Sequence, residues 1–182
     1  MIDSKWDVRM LQVAELVASW SKDPSTKCGC VVTDQLHRII STGYNGLAQG
    51  VPDDEGVWGN RDEKYEHVIH AEINALIFSA RSIRNASLYT WPFPPCSRCA
   101  STIIQAGVLR VVAPLQTAEL SERWGDSIKR AEWMFRNAGV QYVWLSEDDM
   151  MAGGLHHPFV NRKKNPMEID MSSAGEILRN AR

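Results

Sequence analysis

Apolar positions along the chain recur with two different periods. Between Trp6 and Trp20, the residues Met10, Val13, Ala14, Val17 and Ala18 are spaced by three and four, which predicts an amphipathic helix. The polar run Ser21–Thr26, with Pro24 inside it, ends that helix. Cys28–Thr33 and Arg38–Thr42 then read as two short strands joined by a turn near Asp34–Leu36. From Gly43 to about Tyr65 no apolar period survives. A loop of that length inside a compact domain is usually functional.

Beyond the loop the pattern alternates. A helix is predicted from near His70 through Ala75, Leu76 and Ala80, and a strand over Leu88–Trp91 that Pro92, Pro94 and Pro95 stop. A helix over Ser97–Gln105, a strand over Val108–Ala113, an amphipathic helix over Asp126–Ala138 and a last strand over Val140–Leu145 complete the series. Gly139 is placed to close the last of these helices. Strand–helix–strand passages of this length predict parallel strands with right-handed crossovers.

After Leu145 the character changes. An acidic run (Glu147–Asp149), Gly153-Gly154, a basic run (Asn161-Arg162-Lys163-Lys164) and a weak helix near Ala174–Leu178 follow without a strong period. The expected organisation is therefore one domain over 1–145 and a C-terminal extension over 146–182. The basic run is too brief to predict a nucleic-acid contact and reads as a solvated stretch.

Composition narrows the class. The 182 residues are 44% hydrophobic and 23% charged with a net charge of −2, which excludes wholesale disorder, collagen and coiled coil. That balance also lacks the basic footprint of a nucleic-acid binder. No apolar run nears the roughly 20 residues that cross a bilayer, and the start carries no apolar signal segment, so no membrane partner and a cytoplasmic location are expected. In a reducing compartment the four cysteines are better ligands or core residues than disulfides. Seven tryptophans are many for this length, and some are expected at subunit contacts.

The sharpest chemical signal is His70-Ala71-Glu72 followed by Pro95-Cys96-Ser97-Arg98-Cys99. One imidazole and two thiolates make three ligands for a tetrahedral zinc ion and leave one position open, as a catalytic site requires. Cys96 and Cys99 fall at the start of a predicted helix, where free N–H groups and the positive dipole end favour thiolates. Two thiolates cancel the charge of zinc, so the centre acidifies water less than three histidines would. A carboxylate beside the water, Glu72, then has a purpose: it takes the proton and hands it on. Three ligands with a separate Glu are the signature of zinc deaminases. A rival reading joins Cys28 and Cys30 to Cys96 and Cys99 as a closed four-cysteine site, but it leaves His70 and Glu72 idle. His67 competes for the metal by position alone.

These motifs also occur with others. Ser21-Lys22-Asp23-Pro24, Gly43-Tyr44-Asn45-Gly46, Gly50 with Asp53-Asp54, His70-Ala71-Glu72-Ile73-Asn74-Ala75, Pro95-Cys96 with Cys99-Ala100, and Ile103–Gly107 together closely resemble the deoxycytidylate (dCMP) deaminases over about residues 6–145. The resemblance implies an α/β fold, a cytidine-deaminase-like α/β/α sandwich whose five-stranded mixed sheet has helices on both faces and begins with an antiparallel hairpin. It implies hydrolytic deamination of dCMP to dUMP and ammonia, a small-molecule nucleotide substrate, catalytic Zn2+ on His70, Cys96 and Cys99, and Glu72 as proton shuttle. It further implies a homo-oligomer, often a hexamer, with dCTP and dTTP as effectors and Mg2+ accompanying the nucleotide; Asp53 and Asp54 are candidates for that ion.

For the substrate the resemblance gives the Ala71 N–H to the pyrimidine carbonyl and Asn45 to the sugar, as an amide that donates and accepts at once. Ser25 and Lys27 go to the sugar-phosphate end, and Trp124 to the wall of the base pocket. The sequence departs from the family pattern in four places. Thr90–Pro95 is one residue longer, Trp124 stands where Tyr is usual, the stretch Ser127–Gly139 is about two residues shorter, and Ala48 and Val51 replace commoner residues. These departures touch the pocket and not the zinc motif. The alternative substrates are therefore another base, a nucleoside, a modified nucleotide or a base in RNA.

Overall fold

The computed structural model describes residues 4–158. The chain runs α1 (Ser4–Ala18), β1 (Gly29–Thr33), β2 (Ile39–Tyr44), α2 (Glu55–Gly59), α3 (Arg61–His67), α4 (Ala71–Ile77), β3 (Ser87–Trp91), α5 (Ser97–Gln105), β4 (Arg110–Pro114), α6 (Ala118–Asn137), β5 (Gln141–Leu145) and α7 (Glu147–Ala152). The five strands form one sheet in the order β2-β1-β3-β4-β5. β1 pairs antiparallel with both β2 and β3, whereas β3, β4 and β5 are parallel. This is the mixed five-stranded sheet expected from the resemblance, with its antiparallel hairpin first.

Burial follows the topology. The inner strand β1 is buried at every residue, while the edge strands β2 and β5 alternate. One face of the sheet packs Cys30, Val32, Leu88 and Val111 against Ala71 and Ala75 of α4, Ala100 and Ile103 of α5, and Ala131 and Phe135 of α6. The other face packs Val31, Tyr89, Val112 and Val143 against Val8, Leu11 and Ala14 of α1. Asp7 of α1, fully buried, takes two 2.7 Å hydrogen bonds from the Arg110 guanidinium and so ties that helix to β4.

Two glycines set how close the helices come. A Cβ on Gly29 would lie 2.0 Å from the Ala14 carbonyl oxygen of α1, and one on Gly43 would lie 2.3 Å from the Ala75 nitrogen and 2.4 Å from the Ala71 oxygen of α4. Backbone therefore meets backbone on both faces of the hairpin.

Two differences from the sequence reading have physical causes. The stretch read as loop carries α2 and α3, capped by the side chains of Asp54 and Asn60. Neither helix buries a residue, so neither writes an apolar stripe into the sequence. Second, α6 begins at Ala118 under a Thr117 cap, eight residues before the expected Asp126, and Gly125 within it interrupts the pattern. The first part of the expected extension packs on the domain. Ser146 caps α7, and Met150 and Leu155 enter the core beside Val8 and Leu11. Gln12 donates to the Gly153 carbonyl at 2.8 Å, and the ring of buried His157 lies 3.0 Å from the Pro92 oxygen. The basic run 161–164 and the weak helix near 174–178 lie outside the described residues. Among the described residues no helix is long and apolar enough to cross a membrane.

Replacing Gly43 by Ala must move α4 off the sheet. The expected cost is about 3 kcal/mol, the upper end for an overpacked core, because the obstacle is backbone and cannot rotate away. Urea unfolding of Gly43→Ala measures it; an unchanged midpoint would show that α4 does not rest on this contact.

Candidate active site

His70 and Cys96 occupy equivalent places, the N-cap positions of α4 and α5. An N-cap side chain ordinarily accepts a hydrogen bond from its own helix's first turn. Neither does so here. Both side chains turn toward each other instead, and Cys99, three residues into α5, faces the same point. The His70 Nδ1 lies 3.5 Å from the Cys96 Sγ and 3.3 Å from the Cys99 Sγ. All three ligand atoms lie within 4.8 Å of one another, and among the described residues this is the one such group of metal-binding side chains.

These distances suit zinc. With Zn–S of about 2.3 Å and Zn–N of about 2.0 Å, a tetrahedron has N···S edges of about 3.5 Å. The three groups also share protons among themselves. A hydrogen bond from Cys99, and with it the His70 ring, holds the Cys96 thiol down to about 4. The His70 imidazole is raised to about 9 by its hydrogen bond to Cys96, and the Cys99 thiol is pushed up by its neighbour Cys96 and by burial. A thiolate that forms this readily is what a metal needs as ligand.

Glu72 follows one residue into α4 and is 7% exposed. Burial raises its carboxyl above the ordinary range, against the pull of His70. It lines, with His70, Ala71 and Cys96, a cavity of about 370 Å3. Ala71 is the first residue of α4, so its N–H has no acceptor within the helix. The cavity therefore has a soft, proton-handling floor made by two helix starts.

Further lining comes from α3 and from the first half of α6, elements the sequence pattern did not place. Trp124 lies on α6 and packs edge-on against Tyr65 of α3, with ring centroids 5.7 Å apart. Arg61, Lys64 and Arg123 bring cations to the same cavity. Arg61 donates to the Tyr65 hydroxyl at 2.9 Å. Ser25 lines the cavity and contacts Lys64, whose ammonium also lies 3.2 Å from Asp23 Oδ1. Burial opposes ionisation of Asp23, but hydrogen bonds from Ser25, Thr26 and Lys64 prevail and hold its carboxyl below the ordinary range.

Asn45, 5% exposed, also lines the cavity. Its amide is already engaged: Nδ2 donates to Asp23 Oδ2 at 3.1 Å and to the Thr26 carbonyl at 3.0 Å, and Oδ1 accepts from the Cys28 N–H at 2.7 Å. The expectation that it donates and accepts together toward a sugar is thus corrected, since both amide hydrogens are taken. Lys27 is a second correction. It is exposed, reaches the Ser19 carbonyl at 3.3 Å and does not line the cavity.

The other candidates have local roles. His67 is exposed on α3 with Nδ1 2.7 Å from the Glu63 carbonyl oxygen. Cys28 and Cys30 are held as thiols by burial, and neither joins the metal-binding group. Asp53 pairs with Lys22, and Asp54 caps α2.

Known proteins place this geometry. Residues 4–115 match the cytidine and deoxycytidylate deaminase zinc-binding region. The chain belongs to that family. It is 44% identical over 145 residues to an uncharacterized deaminase in the luxG 3′ region of Aliivibrio fischeri, covering 80% of this chain and 97% of the relative. It is 34% identical over 146 residues to the deoxycytidylate deaminase of Homo sapiens, covering 76% and 78%. Among solved structures, the dCMP deaminase of cyanophage S-TIM5 in complex with dCMP and dUMP superposes with a TM-score of 0.61 at 27% identity, over 80% of this chain and 99% of the other. The zinc-binding deaminase domain and the His70, Cys96 and Cys99 group thus agree on Zn2+.

Substitutions at Glu72 and Cys99 have different expected outcomes. Glu72→Gln should keep one zinc per chain and lose turnover by about 10²–10⁴-fold, whereas Cys99→Ala should lose zinc as well. Metal analysis beside an ammonia-release assay checks both; normal turnover by Glu72→Gln would remove Glu72 from the chemistry.

Proposed function

We propose that the chain hydrolyses dCMP to dUMP and ammonia. The observation that carries this reading is one cavity lined together by His70 and Cys96 of the metal-binding group, by buried Glu72, and by the cations Arg61, Lys64 and Arg123. Zinc bound to those three ligands supplies Lewis acidity that makes water nucleophilic near neutral pH. Glu72 would take the first proton of the attacking water and pass it to ring N3 as oxygen adds to C4 of the base. It would then take the second, from the hydroxyl now on C4, and pass it to the departing amino group, so that water and dCMP leave as dUMP and ammonia.

The remaining residues bind. The Ala71 N–H, free at the start of α4, holds the pyrimidine carbonyl oxygen. Trp124, braced by Tyr65, walls the base. Ser25 lies toward the phosphate end. The role expected of Lys27 passes to Lys64, Arg61 and Arg123, which offer the cavity positive charge and N–H donors that suit a phosphate. The likeness to the cyanophage enzyme with bound dCMP and dUMP supports the same substrate.

The proposal includes a cytoplasmic homo-oligomer, a hexamer by resemblance, with dCTP and dTTP as effectors. Exposed Trp20, Trp133, Leu109 and Leu115 offer apolar area for subunit contacts. Mg2+ at Asp53 and Asp54 is not retained, since one pairs with Lys22 and the other caps α2.

Zinc-loaded protein assayed for ammonia from dCMP, CMP, deoxycytidine and cytosine, each with and without dCTP, tests the reading. The expected kcat/KM for dCMP exceeds that for deoxycytidine by about 100-fold, the worth of two charge-assisted hydrogen bonds. Equal turnover of the two would remove phosphate recognition. Silence on every cytosine compound at one zinc per chain would transfer the chemistry to another base.

A further inference from the structure

Trp91, Phe93 and Pro94 line the cavity from the segment that joins β3 to Cys96. Pro92, Pro94 and Pro95 have no N–H, so this segment leaves the sheet and is tied down mainly through its carbonyls. Pro92 is buried, and a buried carbonyl needs a donor. The donor is His157. Its Nε2 lies 3.0 Å from the Pro92 oxygen, and a carbonyl oxygen only accepts, so Nε2 carries the proton. The same ring packs edge-on against Trp91, with centroids 5.5 Å apart.

His157 is itself held in place. It is 7% exposed, and Leu155 just before it belongs to the core. Gly153 lies so close to α1 that a Cβ there would come within 2.3 Å of the Val8 side chain. The chain after β5 thus packs on α1 and ends against the segment that precedes Cys96. His157 also lies outside residues 4–115, the stretch that matches the deaminase family.

We propose that His157 is a positioning residue: through the Pro92 carbonyl and the Trp91 ring it sets how closely Phe93 and Pro94 approach the base beside the reacting carbon. This rests on the dCMP reading. In that reading Glu72 serves N3 and the Ala71 N–H serves the pyrimidine carbonyl, so this edge of the ring faces α4. The C5 edge faces the other way, toward α5 and the segment before it. C5 is also the one ring neighbour of C4 that can carry a substituent. A group at C5 therefore reads the distance from Phe93 and Pro94 to the base. Without the His157 donor the buried Pro92 carbonyl must shift to find another, and the wall moves with it.

Steady-state kinetics of the zinc-loaded full chain on dCMP and 5-methyl-dCMP test this. The wild type should prefer dCMP in kcat/KM by about tenfold or more, as one extra carbon against a packed wall costs. His157→Leu fills the space but has no donor for Pro92, and its preference should shrink to about threefold or less. His157→Gln carries an Nε2 donor the same number of bonds from the backbone and should keep the wild-type preference within about twofold. The electronic effect of the methyl group is common to all three proteins, so the change between them reads the wall.

A His157 that merely supports the fold would lower both substrates by one factor and leave the ratio, which would overturn the role assigned to it. Equal turnover of the two substrates by the wild type, or a His157→Gln that behaves as His157→Leu, overturns it as well. No turnover of dCMP removes the dCMP reading and the inference with it. Turnover of dCMP with an unchanged ratio in His157→Leu removes the inference alone. Should His157→Leu not fold, His157→Asn takes its place: its amide stops short of the Pro92 oxygen, and the same shrinkage is expected.

Discussion

The site depends on how closely α4 approaches the sheet. His70, Ala71 and Glu72 can act together only if the start of that helix sits directly over β1 and β2, and Gly43 is what allows this contact. Gly29 allows the corresponding contact of α1 on the other face. The hairpin is thus clamped between two helix backbones, which makes it a rigid reference for the site. An isolated bridge between Gly46 and Ile69 brings the chain back to that reference immediately before His70. Precision of this kind matters because a misplacement of about 1 Å in catalytic groups costs about 100-fold.

The cavity is organised by charge. Its lining includes Cys96, His70 and buried Glu72, with Cys99 beside them, a set that a divalent cation completes. Its lining also holds three cations, one of them tethered by Asp23. A nucleotide presents the same order of chemistry: a base whose C4 reacts, a neutral sugar and an anionic phosphate.

How much of this the sequence disclosed follows from the physics of each part. The metal trio was legible because its ligands sit at short, fixed spacings beside helix starts. The sheet and α1, α4 and α5 were legible because each buries a periodic apolar face. The cationic lining was not. Arg61 and Lys64 ride on a helix that buries nothing, and Arg123 sits in the part of α6 that Gly125 disguises, where Trp124 was named only through the resemblance. Lys27 was misplaced for a simpler reason: adjacent side chains of an extended segment point opposite ways, so with Cys28 lining the cavity Lys27 turns out to Ser19. The polarity of Asn45 was beyond the sequence altogether, because it is set by Asp23, Thr26 and Cys28 from another stretch of chain.

The central claim is that two helix starts hold one zinc ion through His70, Cys96 and Cys99. X-ray absorption at the zinc edge of the purified protein reads this directly. The account predicts two sulfur ligands at about 2.3 Å and two nitrogen or oxygen ligands at about 2.0 Å. A shell of three or four sulfurs would bring Cys28 or Cys30 into the site and contradict it.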